Sequence, residues 1–133
     1  MRNLSLTVLI MATLLVLFPQ SGSAQAATSA TAQAEISADL GTCSALITAT
    51  GVDLKPIFGA KITTRIRYGF MGVKKLDLEA FTGANGKIKI TSLPEARPLK
   101  KPMYIYINKD DKQEIVEFKP DVHCRATFNV QLR

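Results

Sequence analysis

At 133 residues the chain is long enough for one domain and too short for two well-packed ones. Its formal charge of +6 suits acidic surfaces and solubility equally, but the lysines are spread along alternating segments, which argues against nucleic acid as a partner. Two cysteines and a single histidine leave little material for a metal or thiol centre.

The N-terminus reads as an export signal. Arg2 supplies a positive start and residues 4–18 form an apolar run without charge. Pro19, Gly22 and the small-x-small triplet Ala24-Gln25-Ala26 follow. The apolar run is shorter than the roughly 18–20 residues that span a bilayer, and no stop-transfer pattern comes after it. The expectation is a signal peptide over residues 1–26, cleaved after Ala26 or after Ala24, with no membrane span left in the mature chain. No cysteine near the cleavage site offers a lipid attachment point. Residues 27–40 are small and polar at their start and read as a flexible leader, because such a composition cannot bury enough surface to offset its ordering entropy. The domain is expected over residues 41–133.

Export places Cys43 and Cys124 in an oxidising compartment, and a disulfide is the default reading. It would close a loop of about 80 residues. A metal site or a reactive thiol is the competing reading, and His123 is the only histidine available to either.

From Cys43 onward the hydrophobic pattern has a period of two. Residues 43–50 place Cys43, Ala45 and Ile47 on one face. Gly51 and Lys55-Pro56 mark a turn. Residues 61–68 alternate Ile62, Thr64, Ile66 and Tyr68 with Lys61, Thr63, Arg65 and Arg67, a β-branched pattern typical of strands. Gly69-Phe70-Met71-Gly72 is a loop, after which residues 75–81 turn Leu76, Leu78 and Ala80 inward. Asn85-Gly86 then precedes a lysine–isoleucine alternation over residues 87–91, the strongest short-range hairpin signal in the chain. Pro94, Pro98 and Pro102 interrupt until residues 103–107. Asn108-Lys109-Asp110-Asp111-Lys112 is a polar turn into residues 113–118, and residues 125–133 close the pattern with Ala126, Phe128, Val130 and Leu132 on one face.

Seven short strands with no amphipathic helix between them predict an all-β fold, an antiparallel β-sandwich of immunoglobulin or prealbumin type. Parity aims both cysteines at the core from the starts of the first and last strands. If those two strands run parallel as neighbours, the cysteines meet.

Two segments resemble the carboxypeptidase regulatory-like domains. Thr48-Ala49-Thr50-Gly51 with Lys55-Pro56-Ile57-Phe58-Gly59-Ala60-Lys61-Ile62 is similar to that family's opening strand, turn and Pro-x-x-Gly-Ala. Thr82-Gly83-Ala84-Asn85-Gly86-Lys87, followed by Ile88-Lys89-Ile90 and Ser92-Leu93-Pro94, resembles its central motif. The likeness covers about residues 45–118. It implies a seven-stranded prealbumin-like sandwich and a mostly non-catalytic module of an exported bacterial protein. The family commonly has an aspartate after the motif threonine, where this chain has Gly83, so the resemblance implies no loop-bound calcium.

Catalytic chemistry finds no constellation. His123 adjoins a cysteine read as oxidised, and Asp110-Asp111 sit among Asn108, Lys109 and Lys112 as a solvated turn. No phosphate loop, HExxH or Cys-x-x-Cys occurs. Lys61, Glu79 and Asn129 could be read as an isopeptide trio, but Lys61 and Asn129 fall on the polar parity of their strands. No cofactor and no metal is expected. The candidate partner-binding residues are Phe70, Met71, Tyr104 and Tyr106, while Lys87, Lys89, Arg97, Lys100 and Lys101 form a basic region that protects a sheet edge or binds a partner. The expectation is a non-enzymatic secreted or periplasmic module whose partner is a protein or envelope component. A small-ligand carrier or enzyme-accessory domain, with a pocket between the sheets, is the alternative.

Overall fold

The computed structural model describes residues 33–96 and 101–133. The expected signal peptide, both cleavage positions, Arg97 and Lys100 lie outside the described residues. The strands are β1 Ala34–Ser37, β2 Cys43–Thr50, β3 Lys61–Tyr68, β4 Lys74–Phe81, β5 Lys87–Leu93, β6 Met103–Lys109, β7 Lys112–Phe118 and β8 Arg125–Gln131. A 3-10 turn, Phe70–Gly72, stands between β3 and β4.

These strands form two four-stranded sheets, ordered β1-β5-β2-β8 and β4-β3-β6-β7. The period-2 pattern explains the layering. Ala45, Ile47, Ala49, Ile88, Ile90 and Val130 turn inward from the first sheet, and Ile62, Ile66, Ile105, Ile107 and Phe118 from the second, all buried. Thr64 is the polar exception in this layer, and its Oγ1 donates to the Tyr104 carbonyl at 2.8 Å. At the open side between β7 and β8 the Phe118 and Phe128 rings meet edge-on, with centroids 6.4 Å apart.

Three expectations are corrected. The described residues hold eight strands rather than seven, because Ala34–Ser37, inside the segment read as a leader, runs parallel to β5 in register with Ile88 to Thr91. The first sheet is accordingly mixed rather than antiparallel, because β1 pairs β5 and β2 pairs β8 in parallel, while the second sheet is antiparallel throughout. Finally, the Asn85-Gly86 turn joins no hairpin. β4 pairs with β3 along its whole length, and β5 pairs with β2 in the other sheet. An Asn-Gly pair permits the reversal, but the flanking strands take whichever neighbours bury their apolar faces, so this turn carries the chain from one sheet to the other.

The turn itself has the expected chemistry. Gly86 N–H donates to the Gly83 carbonyl at 2.9 Å and Gly83 N–H to the Lys87 carbonyl at 3.0 Å. Gly86 adopts φ 71°, and a Cβ there would lie 2.6 Å from the Ala49 carbonyl oxygen, so both conformation and space require glycine.

The parallel β2–β8 pairing brings the strand starts together, and Cys43 and Cys124 form a disulfide with Cα atoms 4.6 Å apart. The two cysteines differ in setting. Cys43 is fully buried, as its parity predicts, whereas Cys124 is exposed: it lies in the loop before β8, where strand parity no longer governs direction.

Candidate functional site

The β3–β4 connection is built to hold apolar side chains in solvent. Gly69 at φ 76° and Gly72 at φ 66° bracket Phe70 and Met71, and Met71 itself takes φ 56°. Gly72 N–H donates to the Gly69 carbonyl at 3.1 Å and Val73 N–H to the Phe70 carbonyl at 3.3 Å, closing a compact tip. Phe70 is 87% exposed, Val73 72% and Met71 58%, so Phe70 does not fold over the end of the core. Behind the tip, Tyr68 opposes Lys74 and Arg67 opposes Lys75. The Lys74 ammonium stands 6.0 Å from the centre of the Tyr68 ring, a cation–π arrangement.

Tyr104 and Tyr106 lie elsewhere, on the outer face of the second sheet. Tyr104 is exposed and Tyr106 half-buried. Tyr106 is flanked by Thr63 on β3 and by Ile115 on β7, and Tyr104 by Glu117. A shallow groove of about 560 Å³ runs beside Tyr106, lined by Thr63, Arg65, Asp77 and Glu79. Across this face Arg65 grips Asp77 with both arms of its guanidinium, Nε to Oδ1 at 2.6 Å and Nη2 to Oδ2 at 3.1 Å. That hydrogen-bonded pairing holds the Asp77 carboxyl below the usual carboxylate range, and neighbouring Lys75 adds to it. A lowered folded-state value means that the pair's contribution is present at neutral pH and is lost as pH falls through the Asp77 value; exposure to solvent keeps it small.

The remaining candidates separate. Lys87 and Lys89 line the outer face of β5 in the first sheet, Lys89 beside Glu35 of β1. Lys101 is exposed just before β6 in the opposite sheet, so the described members of the basic region do not form one patch. Lys61 and Glu79 are an exposed ion pair at 3.3 Å, while Asn129 is exposed on β8 of the other sheet. Asp110 and Asp111 form the β6–β7 turn, with Asp110 at φ 54°. His123 is exposed and its backbone N–H donates to the Lys119 carbonyl at 2.9 Å.

Three features escaped the sequence reading. A cleft of about 400 Å³ opens between β7 and β8, lined by Phe118, Lys119, His123, Arg125, Ala126 and Phe128. At the end of the sandwich opposite the β3–β4 tip, Val52, Leu54 and Phe58 are exposed at 66%, 72% and 69%. The last is the Thr82 hydroxyl, which is buried; it accepts from the Ala60 N–H at 2.9 Å and donates to the Ile57 carbonyl at 2.6 Å. Thr82 thereby ties the Pro56–Ala60 turn to the Asn85-Gly86 turn. Only the cleft was beyond reach of residue types alone, since it depends on which strands end as neighbours.

No family model matches the chain and no curated relative matches it. Solved structures do. BcpA, the major pilin subunit of Bacillus cereus, superposes with a TM-score of 0.51 at 12% identity, over 70% of this chain and 30% of that one. Catechol 1,2-dioxygenase from Acinetobacter sp. ADP1 gives 0.48 at 12% identity, over 76% of this chain and 58% of that one. A 9R-lipoxygenase from Cyanothece PCC8801 gives 0.44 at 14% identity, over 68% and 16%. The likeness to the pilin subunit is one of fold, a β-sandwich, and the chain spans less than a third of that subunit's length.

Proposed function

We propose that this chain is a non-catalytic β-sandwich module of an exported protein, periplasmic or secreted, of the carboxypeptidase regulatory-like kind, and that it works through contacts with proteins or envelope surfaces. The observation that carries the reading is the Phe70-Met71-Val73 tip, a cluster of large apolar side chains held out in solvent by two positive-φ glycines. The family reading draws support from Thr82, because the two motif segments that carry the resemblance are hydrogen-bonded into one unit. The disulfide suits an oxidising compartment. Capture from an envelope extract, comparing wild type with Phe70→Ser and Tyr104→Ser, tests the proposal. A retained component lost on Phe70→Ser supports it; no retained component, or one indifferent to both changes, sinks it.

A second reading rests on the β7–β8 cleft, which sets the Phe128 ring beside Arg125 at the open side of the sandwich, with Lys119 paired to Glu117 at 3.0 Å on the same wall. A carrier or accessory domain would use it for small aromatic carboxylates. A rise in melting temperature with such compounds, abolished by Phe128→Ala, would favour that role.

A further inference from the structure

The β3–β4 tip combines three features that together specify a partner. Its apolar side chains are contiguous and among the most exposed large hydrophobics of the described residues. They project beyond the sheet end from paired strands, so they form a convex point rather than a groove or flat face. Between Ile66 and Leu76 every charged residue is a cation, Arg67, Lys74 and Lys75, all exposed and set back from the apolar point by one to three residues along the chain. The nearest acid along β4, Asp77, is engaged by Arg65.

We propose that this tip docks on a lipid bilayer bearing anionic headgroups, with Phe70, Met71 and Val73 entering the interfacial layer and Arg67, Lys74 and Lys75 at the level of the phosphates. The inference rests on the surface-interaction reading above and names its partner. Shape decides between a bilayer and an acidic protein. A specific protein interface must bury at least about 1,000 Å², which a three-residue convex point does not supply. A bilayer needs no complementary pocket, because apolar groups sink several ångströms into the headgroup boundary and basic groups just outside add a salt-sensitive attraction. Lysine stems lie along apolar surface while their ammonium groups stay at the wet layer, and the Lys74 ammonium is already set back from the tip, over the Tyr68 ring.

The experiment uses the chain beginning at Ala27, so that the apolar residues 4–18 cannot themselves account for lipid binding; all eight strands lie C-terminal to that point. Sedimentation with vesicles of phosphatidylglycerol and phosphatidylcholine should carry the protein down. Phosphatidylcholine vesicles alone should weaken binding roughly a hundredfold, as loss of the three cationic contacts demands, and raised salt should weaken it in the same direction. Phe70→Ser, and the pair Lys74→Glu with Lys75→Glu, should each reduce it about tenfold or more while leaving the melting transition in place, since these side chains are exposed. The chain has no tryptophan, so Phe70→Trp installs a single reporter. Its emission should shift to the blue on anionic vesicles and be quenched by lipids brominated on the acyl chains. Failure to sediment, or binding indifferent to Phe70→Ser, or an unshifted Phe70→Trp emission in the bound state, would overturn the proposal. Should vesicles fail while an acidic protein from envelope extract is captured through Phe70, the membrane inference falls and the broader reading stands. If both fail, both fall.

Discussion

Thr82 shows how much one side chain organises here. Its hydroxyl serves two backbone groups on a turn more than twenty residues earlier in the chain, and its own N–H and carbonyl bond Ala60 and Gly59. Thr82→Ala would leave the Ile57 carbonyl and the buried Ala60 N–H without partners, and orphaned buried groups cost about 1–3 kcal/mol each. We expect a loss of about 2–4 kcal/mol in urea unfolding, with Thr82→Ser restoring most of it. An unchanged unfolding midpoint in Thr82→Ala would refute this role. Gly83, next to it, is a contrasting case. A Cβ at Gly83 meets the Asn85 Oδ1 at 3.3 Å and the Ala34 side chain at 3.6 Å, so the backbone does not demand glycine there as it does at Gly86.

Among the elements, the sequence was most legible where a strand has one wet face and one dry face. β2 and β3 alternate buried and accessible positions along their whole length, with the boundaries the period predicts, and β6 does so over residues 103–107 but runs on through Asn108 and Lys109, which the sequence assigns to the turn. β1 was not legible. Four residues, AEIS, carry one strong apolar side chain, and what makes them a strand is an external template: the exposed edge of β5, extended by bonds from Ala38, Leu40 and Gly41 to Thr91 and Ser92. Pairing partners were equally hidden, because the Asn-Gly signal reports a local reversal and not which sheet receives the next strand. The candidate site was half legible: Phe70 and Met71 stood out by their glycine brackets, but Val73 and the cationic backing of the tip emerged only with the β3–β4 register. If β1 is an added edge, Ile36→Ala, at a half-buried position, should cost about 1–2 kcal/mol, against about 3–4 kcal/mol for Ile47→Ala at the fully buried centre of β2. Hydrogen exchange should show β1 amides opening well before those of β2. Equal costs and equal protection would mean that β1 is integral to the core.

For the whole molecule, closure depends on pairing β2 with β8, near the two ends of the sandwich, and the disulfide fastens that pairing across a sequence separation of 81. Through loop-closure entropy in the unfolded chain it contributes about 4 kcal/mol. Reduction, or Cys43→Ala with Cys124→Ala, should lower stability by about that amount in chemical unfolding, and the untreated denatured protein should titrate no free thiol. A reduced protein as stable as the oxidised one would contradict the assignment.

The same bond has a mechanical meaning. Tension applied between the ends of the described chain would enter at β1, pass from Cys43 directly to Cys124, and leave along β8, so that the covalent path of the load bypasses the residues between the cysteines. Only the short segments outside the bridge can be drawn out. With the bridge cut, the 81-residue interval becomes available to the pull, releasing on the order of 270 Å of contour length. Its thiol state therefore sets whether this sandwich behaves as a nearly inextensible link or as a long elastic one.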